Sequence, residues 1–365
     1  MAADDFVKFL VRRDDFSETR FESETRVPLE PNQVRFSVDR FALTSNNISY
    51  AAAGDMLDYW SFFPAEDGWG RIPAMGFGDV VETRHPDVPV GERVFGFFPM
   101  ASELVIDVEG MTPEHYVDGA PHRRNHAPVY RQYLRVDADP LYEASREAQI
   151  LLMRGLFMTS FLVDGFLADH DDFGAETFVL GSASSKTSIA LAFLLAGRGA
   201  GRIVGITGDA NREFVSKLGL YDAALGYGEA AHLSSGQPTV FVDFSGNGTF
   251  VTDLHNHLGD ILKHHCFVGA THWDAGARDE NLPGPEPSFF FAPGEIKNRL
   301  DAWGAEEFQR RIREGWGRFC ASSDSWLEVR THQGPGALAE VYANVLGGKS
   351  NPREGHVLSL TGADS

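Results

Sequence analysis

Residues 177–188, TFVLGSASSKTS, limit what this chain can fold into more than any other stretch. Thr177–Leu180 read as a buried strand, and Gly181 falls where the backbone must turn sharply. From Ser185 or Lys186 the run IALAFLLAG predicts a helix. Strand, tight turn and helix in this order make a dinucleotide-binding unit, in which helix N–H groups and the positive dipole end hold a pyrophosphate. Only the first glycine of the usual fingerprint is present. Ser184, Ser185 and Lys186 stand where glycines normally let the backbone approach the phosphates. Hydroxyls of Ser182, Ser184, Ser185 and Thr187 can donate in place of those close contacts, and Lys186 can act as a point charge on phosphate. Simple N-capping also favours serine here. Capping does not account for a lysine in the first turn, where the dipole disfavours a cation.

The surroundings extend this pattern. From about residue 145 helices are expected at 145–168, 185–198, 209–218 and 249–263. Strands are expected at 177–180, 202–206, 239–243 and 265–269, and such alternation predicts a parallel sheet covered on both faces. Earlier, Phe6–Arg12 and Gln33–Ala42 alternate apolar and polar residues as half-buried strands do. Residues 107–131 are polar and rich in His and Pro, which predicts a long surface excursion. Phe289–Phe291 predicts a buried strand.

At 365 residues the chain has room for two cores. A net charge of −20 excludes nucleic acid and anionic membrane as partners, because a phosphate surface would be repelled. Two cysteines, Cys266 and Cys320, exclude a disulfide framework and a thiolate-rich zinc site, and no His or carboxylate spacing predicts a metal. The apolar stretch at 150–167 carries Arg154 and Asp164, so it reads as a buried helix and not a membrane span. The opening MAADDFVKFLVRRDD lacks an apolar signal core, which predicts a cytoplasmic protein.

Several pieces in their order resemble the medium-chain dehydrogenase/reductase superfamily, in its zinc-free quinone and enoyl reductase branch. They are PAMGFGDVVET at 73–83, VGERVFGF at 90–97, MTSFLV at 158–163 and KLGLYDAALGY at 217–227. DFSGN at 243–247, CFVGAT at 266–271 and NPREGHVLSL at 351–360 complete the series. TSNNISYAAAGD at 44–55 lacks the cysteine that holds catalytic zinc in the alcohol-dehydrogenase branch. The phosphate loop departs from the family's Gly-Val-Gly, and residues 55–72 and 107–131 are additions, which mark a divergent member.

The resemblance implies an α/β protein: a Rossmann-type doubly wound parallel sheet domain at 146–317, and a mostly β GroES-like catalytic domain at 1–145 and 318–365. It implies an NADPH-dependent, zinc-independent oxidoreductase that reduces a small α,β-unsaturated carbonyl or quinone-like substrate. The strand tip Thr207-Gly208 leaves room for a 2′-phosphate, with Arg212 one turn on. Asp209 keeps NAD open as the alternative. In that branch a tyrosine at the position of Tyr227 joins the basic residue on the phosphate. Thr159 would pack beside the nicotinamide, and Gly246 and Gly269 would line the cofactor. Tyr50 or Tyr59, with Asn47 nearby, would support proton transfer. A strand near Phe289–Phe291 pairs across a homodimer in relatives. The same fold with a non-redox, lyase-like or purely binding role is the competing reading.

Overall fold

The computed structural model describes residues 5–268 and 281–361. The chain begins with strands β1 (Asp5–Arg12), β2 (Thr19–Thr25) and β3 (Gln33–Leu43), then helix α1 (Ser45–Ala52). Strands β4 (Trp69–Gly70), β5 (Pro73–Thr83), β6 (Arg93–Pro99), β7 (Glu103–Met111), β8 (His115–Asp118) and β9 (Gln132–Arg135) follow. Helix α2 (Glu147–Asp169) opens the alternating part: β10 (Thr177–Leu180), α3 (Lys186–Arg198), β11 (Arg202–Thr207), α4 (Arg212–Lys217) and β12 (Ala223–Gly226). Next come β13 (Thr239–Asp243), α5 (Gly248–Leu258), β14 (Leu262–Phe267), β15 (Ser288–Phe289) and α6 (Ala292–Ser323). The chain closes with β16 (Glu328–Gln333), α7 (Pro335–Leu346) and β17 (Glu354–Ser359). Two compact units result: Met1–Leu152 with Glu328–Ser365, and Met153–Leu327. The first division falls inside α2, and the second lies beyond α6, a helix that a boundary at 317 would cut.

In the first unit an eight-stranded sheet runs β16-β17-β3-β5-β6-β9-β8-β7. β3 also pairs with β7, so six antiparallel strands close on themselves and leave no free edge between those two. Phe36 stacks on Tyr133 inside, with ring centroids 5.5 Å apart. A three-stranded sheet, β2-β1-β4, completes the unit. The Trp60 indole is wedged between Gly54 and Gly70, where an added Cβ would come within 2.1 Å and 2.3 Å of the ring. Trp60, with Phe62 and Phe63, is therefore built into a core, while 55–58 and 66–68 stay exposed.

Residues 107–131 are not the surface excursion that their composition predicts. β7 and β8 form an antiparallel pair within the sheet, and Tyr116, Asp118 and Arg123 are fully buried. Arg123 donates to Asp118 at 2.9 Å, to the Tyr133 hydroxyl at 2.6 Å and to the Tyr130 carbonyl at 2.7 Å. A buried ion pair whose two terminal guanidinium nitrogens both find acceptors keeps a polar sequence inside, so hydropathy alone misreads it.

The second unit is a six-stranded parallel sheet in the order β12-β11-β10-β13-β14-β15. Every residue of β10 and β13 is buried, as expected for a parallel strand covered on both faces. Counted from β10, the order is 3-2-1-4-5-6, the doubly wound Rossmann order, and it reverses between β10 and β13. The helix expected at 249–263 stops at Leu258, because Gly259 turns into left-handed backbone (φ 49°), and β14 starts at Leu262. The Phe289–Phe291 run is not a buried strand. β15 lies at the sheet edge, with Phe290 buried but Phe289 and Phe291 67% and 61% exposed. Residues 144–169 have the length and composition of a membrane-crossing helix, and half of their most apolar window is buried in the fold.

Candidate functional site

At the point where the strand order reverses, the turns after β10 and β13 meet. An added Cβ on Gly181 would lie 2.9 Å from Asp243 Oδ1 and 3.4 Å from the Phe244 nitrogen, so a side chain there would push the turns apart. Asp243 Oδ1 in turn accepts from the Ser245 N–H (2.8 Å), the Ser245 hydroxyl (2.6 Å) and the Gly246 N–H (3.1 Å), and Gly246 adopts φ 66°. Ser182 is also left-handed at φ 51°, a strained state for a residue with a side chain. Ala183 is fixed by its N–H on the Ile206 carbonyl (2.8 Å) and by the Tyr221 hydroxyl on its own carbonyl (2.9 Å).

The loop serines divide their roles. Ser185 is the N-cap of α3, and its hydroxyl accepts from the Ser188 N–H at 3.2 Å. The Ser184 hydroxyl accepts from Thr207 (3.3 Å) and Asn211 (3.1 Å), which ties the loop to the tip of β11. Ser160 donates to the Thr187 carbonyl at 2.8 Å, one residue along α2 from Thr159, whose hydroxyl donates to the Gly155 carbonyl at 3.2 Å. Lys186 opens α3 half-buried, and burial pushes its amine down to about 8. A cation at the positive end of a helix works against the dipole, and an anion bound there would offset that cost.

Arg212 stands beyond β11 and is held on both sides. It donates to Asp209 at 2.9 Å and to Glu229 at 2.7 Å. The Gly226 N–H, 2.7 Å from Glu229, and then Arg212 hold that carboxyl below its ordinary range. The Tyr227 hydroxyl hydrogen-bonds to Ser245 and Ser182, so it spans the two turns at the strand reversal. Burial pushes it up to about 12 against those bonds. Gly269 lies outside the described residues.

In the first unit Asn47 is committed to the backbone. Its Oδ1 accepts from the Thr44 N–H at 2.8 Å and its Nδ2 donates to the Pro73 carbonyl at 2.9 Å. Asn46 instead donates to the Tyr50 hydroxyl at 2.6 Å. The Tyr50 and Tyr59 rings lie 4.6 Å apart, and the Tyr59 hydroxyl bonds to Tyr130. Burial first, then the neighbouring phenols, push both hydroxyls well above the tyrosine range. Both therefore remain protonated donors at neutral pH. His126 stacks on Phe62 at 3.8 Å and meets the Ser61 hydroxyl at 2.8 Å, beside the same cluster.

A family model described as "Protein of unknown function (DUF2855)" matches residues 41–351. The chain belongs to this family. No curated protein matches it. Among solved structures, CurA from Vibrio vulnificus in complex with NADPH is similar at 14% identity and a TM-score of 0.62, over 97% of this chain and 99% of that one. A Mesorhizobium loti protein provisionally assigned as an NADPH:quinone reductase matches at 14% and 0.62, over 99% and 100%. The CurK enoyl reductase matches at 13% and 0.51, over 97% and 99%. The chain thus shares the two-part fold of these proteins over 97–99% of its length.

For this DUF2855 member, sequence reading missed Glu229, Asn211 and Tyr130. None has a local signal: Glu229 lies 17 positions from Arg212, and Asn211 lies 27 from Ser184.

Proposed function

We propose that the protein is an NADPH-dependent, zinc-independent oxidoreductase acting on a small α,β-unsaturated carbonyl or quinone-like acceptor. The observation that carries this reading is the tight Gly181 turn at the strand reversal, followed at once by Lys186 at the start of α3. That turn has no room for a side chain, and a half-buried cation stands at the helix start, which together fit a pyrophosphate. CurA, which shares the fold, was solved with NADPH. The bound nicotinamide would supply the hydride. Lys186 and the α3 N-terminus would hold the pyrophosphate, Arg212 and Thr207 the 2′-phosphate end, and Thr159, Gly246 and Gly269 the remainder. Tyr50 or Tyr59, kept protonated by burial, would donate the proton, with Asn46 orienting Tyr50 and Asn47 shaping the α1 turn beneath.

A homodimer through β15 belongs to the same reading, because a sheet edge flanked by exposed Phe289 and Phe291 favours pairing. Light scattering on Phe289→Ser/Phe291→Ser is expected to give a monomer where the parent gives a dimer. A second reading, binding without turnover, draws on Ser184 and Tyr227 being engaged within the protein. The deciding experiment follows loss of reduced-nicotinamide absorbance with quinones and enones. Turnover that falls sharply in Tyr50→Phe or Tyr59→Phe supports the reductase. Tight NADPH binding without oxidation by any acceptor supports the second reading.

A further inference from the structure

The first unit holds an open pocket of about 550 Å³, lined by none of the candidate-site residues, where β1 and β2 meet the segment 64–71. Lys8, Glu22, Glu24, Glu66 and Arg71 provide its charge, and Pro64 and Ala65 part of an apolar wall. Most of these charges are already paired. Lys8 reaches Glu22 at 3.7 Å and also Glu24, while Arg20 reaches Glu22 at 2.5 Å and also Glu66.

Arg71 differs from the others. It enters no salt bridge or side-chain hydrogen bond among the described residues, and its Nε is buried without an acceptor. The Phe63 ring lies 5.8 Å from its guanidinium carbon. Burial pulls the guanidinium down to about 10, with Glu24 and Glu22 opposing. Those carboxylates are thus near enough to act on Arg71 through space but too far to pair with it. A guanidinium fork with free donors calls for a planar carboxylate bound through both oxygens. A ligand bringing only negative charge would meet the three glutamates, so it must carry a cation as well. Glu24 and Glu66 remain about half exposed, at 49% and 58%, and have lone pairs left to accept from an ammonium.

We propose that this pocket binds a small α-amino acid, its carboxylate on Arg71 and its ammonium against Glu24, with an aliphatic side chain along Pro64 and Ala65. The test is calorimetric titration of the full-length protein with L-alanine, L-valine and L-leucine. N-acetyl-L-alanine, L-alaninamide and inorganic phosphate serve as single-charge probes. Saturable binding of at least one amino acid is expected, weakened about ten-fold or more by Arg71→Gln and by Glu24→Gln, with none of the single-charge probes binding comparably. Arg71→Lys, which keeps the charge and loses the fork, is expected to weaken binding too, and it serves if the glutamine variant does not fold. No saturable heat with any of the three amino acids would overturn the proposal. So would equal affinity in Arg71→Lys, or binding of phosphate or N-acetyl-L-alanine as tightly as L-alanine.

Discussion

Lys186 concentrates the chemistry of the nucleotide loop in one side chain. Its oddity was legible in the sequence, because a cation at a helix start opposes the dipole. Its half-burial and lowered pKa were not, because they depend on what α3 packs against. The pKa gives the prediction its sign. The free protein's amine loses its proton near 8, and phosphate stabilises the protonated form, so NADPH affinity falls as pH rises through about 8. Fluorescence titrations from neutral to alkaline pH are expected to show this weakening. Lys186→Gln is expected to bind about ten-fold or more weakly, and evenly across that range. Arg212 makes a second residue-scale case. Sequence offered it as a phosphate ligand, but the structure encloses it between Asp209 and Glu229. Glu229→Gln keeps an acceptor for the Gly226 N–H and removes one negative charge, so it is expected to raise NADPH affinity relative to NADH. A ratio of the two dissociation constants that stays fixed or moves toward NADH would contradict that assignment.

Strands and helices were legible where burial is uniform or strictly periodic. The apolar run of β10 announced itself, whereas β3 forms although its burial does not alternate. Residues 107–131 did not, because their inward positions carry a charge pair rather than methyl groups. Asp118 and Arg123 satisfy one another, and the pair is readable only once both are seen at 1–2% side-chain exposure. Removing the charge of Asp118 leaves the guanidinium buried and unpaired. Asp118→Asn is therefore expected to cost about 3–5 kcal/mol of stability, measured by urea unfolding of the intact chain. A loss within the range of an ordinary surface substitution would mean that this segment contributes little to the fold. The 55–72 segment was opaque for a related reason. Two glycines far apart in sequence, Gly54 and Gly70, make the slot for Trp60, and neither carries a local signal of that partnership.

For the molecule as a whole, the order of weak sequence pieces was enough to foresee two units and a doubly wound sheet. It could not show which turns meet, because register and strand order are long-range properties. Their meeting is what bears on function: β10 and β13 adjoin where the strand order reverses, and Gly181 sits against Asp243. Ligands bind doubly wound sheets at this place. The central claim is that the glycine-poor loop still holds NADPH, and the most direct measurement is an NADPH fluorescence titration of the wild-type protein beside Gly181→Val and Lys186→Gln. The account predicts saturable enhancement or blue shift for the wild type, and marked weakening in both variants while their circular dichroism stays native. A folded wild-type protein that leaves NADPH fluorescence unchanged at high protein concentration, or variants that bind as tightly as the parent, would contradict it.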